Sequence, residues 1–208
     1  MTSVRITVNG VSKEFNRRKV FDNVNFEISN GHSIAITGPN GSGKSTLVRI
    51  VAKVLSPTRG RVHYYFDGAN GSDDMVRDAI GFVSPYLQLY DEFSALENLM
   101  FLNRIRLNSR RPSQVEAEKI LAKVNLAHRK DDLVRGFSSG MKQRLKYALA
   151  LSHSPAVLIL DEPTANLDDE GTAVVRQIVR EQTERGILIL ATNSAEEAAW
   201  CEQKITLK

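Results

Sequence analysis

A single cysteine, Cys201, occurs in 208 residues, so no internal disulfide can form, and a reducing compartment fits that usage. Long apolar runs are also missing; the longest unbroken ones are short, such as 156–160 and 187–191. A membrane-spanning helix needs about 20 predominantly apolar residues, so the chain is not expected to cross a bilayer by itself. The first ten residues alternate polar and apolar side chains and offer no apolar h-region, so no secretory signal is expected. Charge of one sign is not in large excess: the net charge is +4 and the pI about 9.2, which is only mildly basic. Basic clusters stand at 17–19, 110–111 and 128–130 and at Lys142, Arg144 and Lys146, but none is interleaved with aromatics as a base-stacking surface requires. Solvated faces are the better reading, and no specific nucleic-acid partner is expected. Internal repeats, low-complexity tracts and linkers are absent as well. With 42% hydrophobic and 25% charged residues, the composition suits one globular unit with a sizeable core.

What is present is a regular alternation of strand-like and helix-like stretches. Val4, Ile6 and Val8 alternate with Arg5 and Thr7, and Asn9-Gly10 follows as a tight hairpin turn. Val24, Phe26 and Ile28 repeat the device and end on Asn30-Gly31. Residues 32–37 read as a strand running into a glycine-rich loop and then an apolar helix over 46–55. Further strands are expected at 61–66 and 79–84, separated by a polar surface loop at 67–74. From about Ser94 the period becomes helical, with Leu96, Leu99, Met100 and Leu102 on one face. Ser113 and Glu116 form the capping box of a second helix, and a third is expected over 139–152. The remainder reads as strand 157–160, helix 172–185, strand 187–191, a short acidic helix and strand 204–207. Val-, Ile- and Leu-rich runs separated by helices are the pattern of a parallel sheet covered on both faces. The expected fold is α/β: a core over 1–85 and 153–208, mostly parallel with an antiparallel β edge, and an inserted helical subdomain over 86–152.

Two stretches carry chemistry by their own residues. Gly38-Pro39-Asn40-Gly41-Ser42-Gly43-Lys44-Ser45 matches G-x-x-x-x-G-K-[ST] between an expected strand and an expected helix. Its glycines let the backbone wrap, so that N–H groups through Thr46 face phosphate oxygens. Lys44 reaches the β- and γ-phosphates and Ser45 can ligate Mg²⁺. The helix N-terminus adds positive potential there. An ordinary Gly-rich turn is the alternative; the strand and helix around it favour ATP. The apolar run 156–160 then ends in Asp161-Glu162. Asp161 is expected to hold Mg²⁺ opposite Ser45, and Glu162 to polarise water for attack on the γ-phosphate. A solvated acidic turn is the alternative for both.

Phe137-Ser138-Ser139-Gly140-Met141-Lys142-Gln143-Arg144 resembles the LSGGQ motif that identifies the ATP-binding cassette (ABC) family. Ser138 and Gly140 match, and Ser139 stands in for the first glycine. A helix N-cap is the simpler reading of these residues, and both readings can hold together, because a capped N-terminus is an anion site. In the family that site receives the γ-phosphate of the nucleotide held by the other subunit. The resemblance covers essentially the whole chain and implies a P-loop NTPase core hydrolysing ATP with Mg²⁺. It also implies a second ABC ATPase subunit, separate transmembrane permease subunits, and a place on the cytoplasmic face of a membrane. By the same resemblance Phe15 stacks on adenine (a core strand residue is the other reading). Asn166-Leu167-Asp168 corresponds to the loop that contacts the partner subunit.

This sequence departs from the family pattern at two points. Where the family has Gln at the end of the strand leading to the helical subdomain, an ungapped count from Glu97-Asn98 gives Pro85, which can neither donate nor ligate. Gln88, three residues on, is the candidate metal ligand in its place. The switch histidine after Thr192 is replaced by Asn193, expected to donate one neutral hydrogen bond to the γ-phosphate; capping of the acidic helix is the alternative. Family members with a long coiled coil in the helical subdomain are excluded, because only about 50 residues separate Pro85 from Ser138. Members with two cassettes in one chain are excluded by the single cassette. Transport is therefore expected ahead of a soluble accessory ATPase of the iron–sulfur assembly type. The compact length resembles ATPases of small exporters, including the haem-exporter type of cytochrome c maturation. Loss of the Gln and His suits a weakly hydrolysing nucleotide sensor, but Lys44, Asp161 and Glu162 are retained.

Overall fold

In the computed structural model, residues 2–105 and 112–208 are described; the Arg110-Arg111 cluster lies outside them. The chain begins with β1 (Val4–Phe15), β2 (Arg18–Ser29), β3 (Ser33–Thr37), α1 (Lys44–Val51), β4 (Arg59–Phe66) and the two-residue β5 (Ala69–Asn70). It continues through α2 (Asp73–Ala79), β6 (Ile80–Val83), α3 (Ala95–Ile105), α4 (Gln114–Lys123) and α5 (Ser139–Leu151), with two single-turn 3-10 helices before α5. It ends with β7 (Val157–Asp161), α6 (Asp169–Arg185), β8 (Ile187–Ala191), the one-turn α7 (Ala195–Ala198) and β9 (Gln203–Thr206). An antiparallel sheet has the order β2-β1-β4-β5, and a parallel sheet has the order β6-β7-β8-β3-β9.

The parallel strands are buried on both faces, and their alternation divides the hydrophobic interior in two. Val157 and Ile159 of β7 and Ile187, Ile189 and Ala191 of β8 point toward α1 and the antiparallel sheet. Leu158, Leu160 and Leu188 point the other way, toward α3, α4, α5 and α6. A period-2 side-chain pattern inside an unbroken apolar run produces this division: each strand supplies both cores at once. Helix α1 buries Leu47, Val48, Ile50 and Val51 on one stripe, and the Tyr64 hydroxyl of β4 donates to Val51 O at 2.7 Å. Helices α3, α4 and α5 stand between β6 and β7 in the chain, and their core is continuous with one face of the parallel sheet.

Three local expectations are corrected. Asn9-Gly10 is not a hairpin turn. β1 runs through it, paired with β2 on one side and β4 on the other, and both registers shift there. Gly10 has φ +60°, the left-handed value of a β-bulge, and its N–H donates to Asn25 Oδ1 at 2.7 Å. The hairpin turn is Asn16-Arg17, both with positive φ, which a two-residue primed turn demands. Asn30-Gly31 does turn the chain but makes no hairpin, because β2 and β3 belong to different sheets. The polar stretch 67–74 is not all loop: it holds β5 and the start of α2, whose N-cap Ser72 accepts from Met75 N. That helix start was readable from Ser72 followed by Asp73 and Asp74, a cap and an acidic first turn. The capping box of α4 forms as expected, with Ser113 and Glu116 each accepting from the other's backbone N–H.

Tyr147 of α5 ties the helical part to the sheet edge. It is completely buried, and its hydroxyl donates to Pro163 O at 2.8 Å, just past β7. Burial, with the nearby negative charge of Glu197, holds the phenol well above its ordinary pKa, so it stays a donor. Tyr147→Phe leaves the Pro163 carbonyl without that donor and is expected to cost about 1–3 kcal/mol in urea or guanidinium unfolding.

Candidate functional site

The carboxyl ends of β3, β7 and β8 point the same way because the strands are parallel, so the segments leaving them converge. From β3 the chain enters 38–45 and then α1. Gly43, the N-cap residue, has φ +95°, and a Cβ on it would lie 2.6 Å from Val20 Cγ1 and 2.8 Å from Phe21 Cδ1. Only glycine fits where the β1–β2 hairpin presses on the loop. Gly38 is under the same constraint, with a Cβ 2.5 Å from Leu207 O. No side chain caps α1, so its first N–H groups face the loop interior. Lys44 is only 6% exposed, and its ammonium donates to Gly38 O and Pro39 O, both at 2.9 Å. These carbonyls hold the charge at the mouth of the loop. Ser42 Oγ is buried and has no hydrogen-bond partner.

Ser45 Oγ donates to Asp161 Oδ1 at 2.9 Å, joining the loop to the end of β7. Asp161 is 1% exposed, and its Oδ2 has no hydrogen-bond partner. Burial raises its pKa; the Ser45 hydrogen bond opposes this, Glu162 adds to it, and Arg49 and Lys44 lower it. A buried carboxylate with one oxygen uncommitted, beside a serine hydroxyl, is a hard-oxygen pair suited to a small divalent cation. Glu162 follows, exposed, with φ +52° and its N–H donating to Ala191 O at 2.9 Å. A non-glycine residue in the left-handed region is strained, and that backbone turn ends the strand and directs the carboxylate outward.

Beyond β8, Asn193 Nδ2 donates to Asn40 Oδ1 of the glycine-rich loop at 3.0 Å. Asn193 does not cap α7; that role belongs to Ser194, which accepts from Glu197 N. Asn40, Glu162, Thr164 and Asn193 line one cleft of about 330 Å³. Phe15 is 48% exposed at the tip of the β1–β2 hairpin, with the Lys13 ammonium 4.7 Å from its ring centre, so the core reading of this residue is excluded.

The other expected site residues lie elsewhere. Ser138 is the N-cap of α5, accepting from Met141 N at 3.2 Å, and a Cβ on Gly140 would come 3.1 Å from Asn166 O. Ser139 lines a second cleft with Pro85, Gln88, Lys142, Lys146 and Asn166. Gln88 thus shares a cleft with the start of α5. Asp168 is the N-cap of α6, accepting from Gly171 N at 2.8 Å. Lys146, read from sequence only as part of a basic cluster, donates to Pro85 O at 2.9 Å and Ser84 O at 3.4 Å. Its half-buried ammonium, whose pKa burial lowers, grips the segment where the glutamine is missing. Sequence gave no signal for this, because α5 and the end of β6 are distant in the chain.

Comparison with known proteins agrees with this arrangement. A family model described as ABC transporter matches residues 21–165. The daunorubicin resistance ATP-binding protein DrrA3 of Streptomyces coeruleorubidus is 33% identical over 205 residues, covering 96% of this chain and 63% of the relative. The chain thus spans less than two thirds of that relative's length. The lipoprotein-releasing system ATP-binding protein LolD of Gluconobacter oxydans is 35% identical over 198 residues, 91% of this chain and 85% of LolD. Among solved structures, the dimeric bacterial ABC transporter cassette MJ0796 superposes with a TM-score of 0.85 at 27% identity, covering 98% of this chain and 94% of that one. The same cassette in a post-hydrolysis dimer with ADP and Pi gives a TM-score of 0.84 at 26% identity. On the family match and these relatives, the chain belongs to the ABC transporter family.

Proposed function

We propose that this chain is the ATP-binding and ATP-hydrolysing subunit of an ABC transporter, working on the cytoplasmic face of a membrane through separate permease subunits. The observation that carries this reading is the Ser45–Asp161 pair with its uncommitted Oδ2, set beside Lys44 and followed directly by Glu162. Residues 38–46 cradle the nucleotide phosphates by backbone N–H groups, and Lys44 exchanges its loop carbonyls for phosphate oxygens. Phe15 offers its exposed ring to the adenine. Ser45 and Asp161 are the residues that would hold Mg²⁺, which when bound neutralises developing phosphate charge. Glu162 orients and deprotonates the attacking water, and Asn193 donates to the γ-phosphate.

Ser139, between Ser138 and Gly140, lines a different cleft, so on this reading the three complete the site of a second subunit, with Asp168 and its loop at the same interface. No helix among the described residues is long and apolar enough to cross a membrane; on this reading the transported substrate passes through the separate permease subunits. An apolar groove of about 510 Å³, lined by residues including Val54, Phe82, Leu87, Leu102 and Leu149, is a fitting place for a permease to engage. A soluble accessory ATPase is the alternative, and co-purification from detergent extract without any membrane subunit would favour it.

Glu162→Gln keeps the nucleotide ligands and removes the base. Mg·ATP affinity should be retained, turnover should fall by about 100-fold or more, and a closed dimer should accumulate in size-exclusion chromatography with ATP. Only monomer at saturating ATP, with the partner subunits present, counts against both the base and the sandwich. Ser138→Arg should leave ATP binding by the isolated subunit nearly unchanged, because its own phosphate loop is intact. Turnover should drop by about 100-fold or more as the opposing γ-phosphate loses an open helix end. Equal loss of binding and turnover would show that the segment serves its own nucleotide.

Asn193→His tests the departure at the switch. Asparagine never titrates, whereas imidazole changes charge near pH ~6.5. A neutral hydrogen bond is roughly half as strong as a charge-assisted one, so wild-type hydrolysis should be slow but measurable. Asn193→His should raise turnover and add a new pH dependence in the imidazole range. An unaltered pH–rate profile would remove Asn193 from the phosphate site.

A further inference from the structure

The buried carboxylate of Glu197 has no part in the chemistry described so far, although it lines the same cleft as Glu162. Ser194-Ala195-Glu196-Glu197 has the S-x-x-E form of a capping box, in which the glutamate would reach back to the N-cap N–H. Only half of that box forms. Ser194 Oγ accepts from Glu197 N at 3.4 Å, but the Ser194 N–H goes to Thr192 Oγ1 at 2.9 Å. The carboxylate turns inward instead. One oxygen accepts from Thr164 N at 3.3 Å and from the Thr164 hydroxyl, and the other accepts from the Thr192 hydroxyl. Glu197 is 7% exposed and all three donors are neutral.

Those two threonines belong to the two arms that carry the reacting groups. Thr164 is separated from Glu162 only by Pro163, whose carbonyl is already held by Tyr147. Thr192 directly precedes Asn193, which reaches across to Asn40. Burying a carboxylate is costly unless its lone pairs are met, and a fully apolar filling of this space would be cheaper. What the carboxylate adds is two acceptor oxygens pointing in different directions, so that one rigid group spans both arms. We propose that Glu197 is a positioning residue that holds Glu162 and Asn193 in register across the cleft. It rests on the ATPase reading and adds to it a residue that acts through Thr164 and Thr192.

The test uses the full chain with its partner subunits. Glu197→Ala should lower kcat by ~10–100-fold, the loss expected when a reacting group is displaced by about an ångström. Mg·ATP affinity by calorimetry should change by less than about 3-fold, because the phosphate loop is untouched. Glu197→Gln keeps one acceptor oxygen for Thr164 and an N–H₂ that can donate to Thr192, so it should recover most of kcat. Thr164→Val removes one hydroxyl arm without stranding a charge and should lower kcat in the same direction by a smaller factor, which keeps the test available if Glu197→Ala folds poorly. The folded fraction is measured by circular dichroism and all rates are referred to it. The proposal is overturned if kcat per folded molecule is unchanged, or if affinity and kcat fall together, or if Glu197→Gln is as slow as Glu197→Ala. A wild-type complex that neither binds nor turns over ATP would instead remove the ATPase reading itself, and this proposal with it.

Discussion

The hydrogen bond from Ser45 to Asp161 joins residues 116 apart in sequence, and it can form only because β3 and β7 run parallel in one sheet. Parallel strands put all their carboxyl ends on one edge, so every loop leaving that edge meets the others there. The glycine-rich loop from β3, Asp161-Glu162 from β7 and Thr192-Asn193 from β8 are three such loops. Burial of the sheet on both faces keeps that edge rigid. Val157 and Ile159 are locked into one core and Leu158 and Leu160 into the other, so β7 has no free face along which to shift. A one-residue slip would exchange the two sets and displace Asp161 from Ser45.

Electrostatic tension is concentrated at the same edge. Asp161 is buried with its pKa raised, Lys44 is buried against carbonyls, and Glu197 is buried against neutral donors. None of these charges is neutralised by a direct ion pair of the kind seen at exposed positions such as Lys142–Asp91. A site in this condition has much to gain from a ligand bearing both negative phosphates and a cation, since the Lys44 ammonium and the Asp161 carboxylate each then find a complement. The left-handed φ of Glu162 is part of the same arrangement: the strain is tolerated because Ala191 holds Glu162 itself, and Tyr147 and Glu197 hold Pro163 and Thr164 after it.

The second cleft, at the start of α5, is built by different means. Helix α5 presents its N-terminus through Ser138, Gly140 lies against Asn166, and Lys146 on the same helix grips Pro85 and Ser84 at the end of β6. The helical part and the sheet are thus connected by an ammonium on backbone carbonyls and by the Tyr147 hydroxyl on Pro163. Both contacts come from α5, which makes that helix the mechanical link between the cleft that holds Glu162 and the one that holds Ser139.

Local chemistry that acts within a few residues was legible in the sequence alone. The glycine-rich loop between strand and helix, the acidic pair after 156–160, the Ser113–Glu116 box and the apolar runs of a doubly covered sheet each follow from neighbouring side chains and a fixed period. Elements whose fate depends on a distant partner were not legible. Asn9-Gly10 has the composition of a turn, yet β4 on its far side holds it extended as a bulge, and the turn falls at Asn16-Arg17, where no strand continues. Ser194 and Glu197 have the composition of a capping box, yet Thr164, 33 residues away, draws the carboxylate inward. The sequence determined which groups are available for phosphate and metal chemistry, because those groups are side chains of stated type. Tertiary structure alone decided which of them meet, because a hydrogen bond between β3, β7 and β8 exists only once the sheet has brought their ends to within about 3 Å.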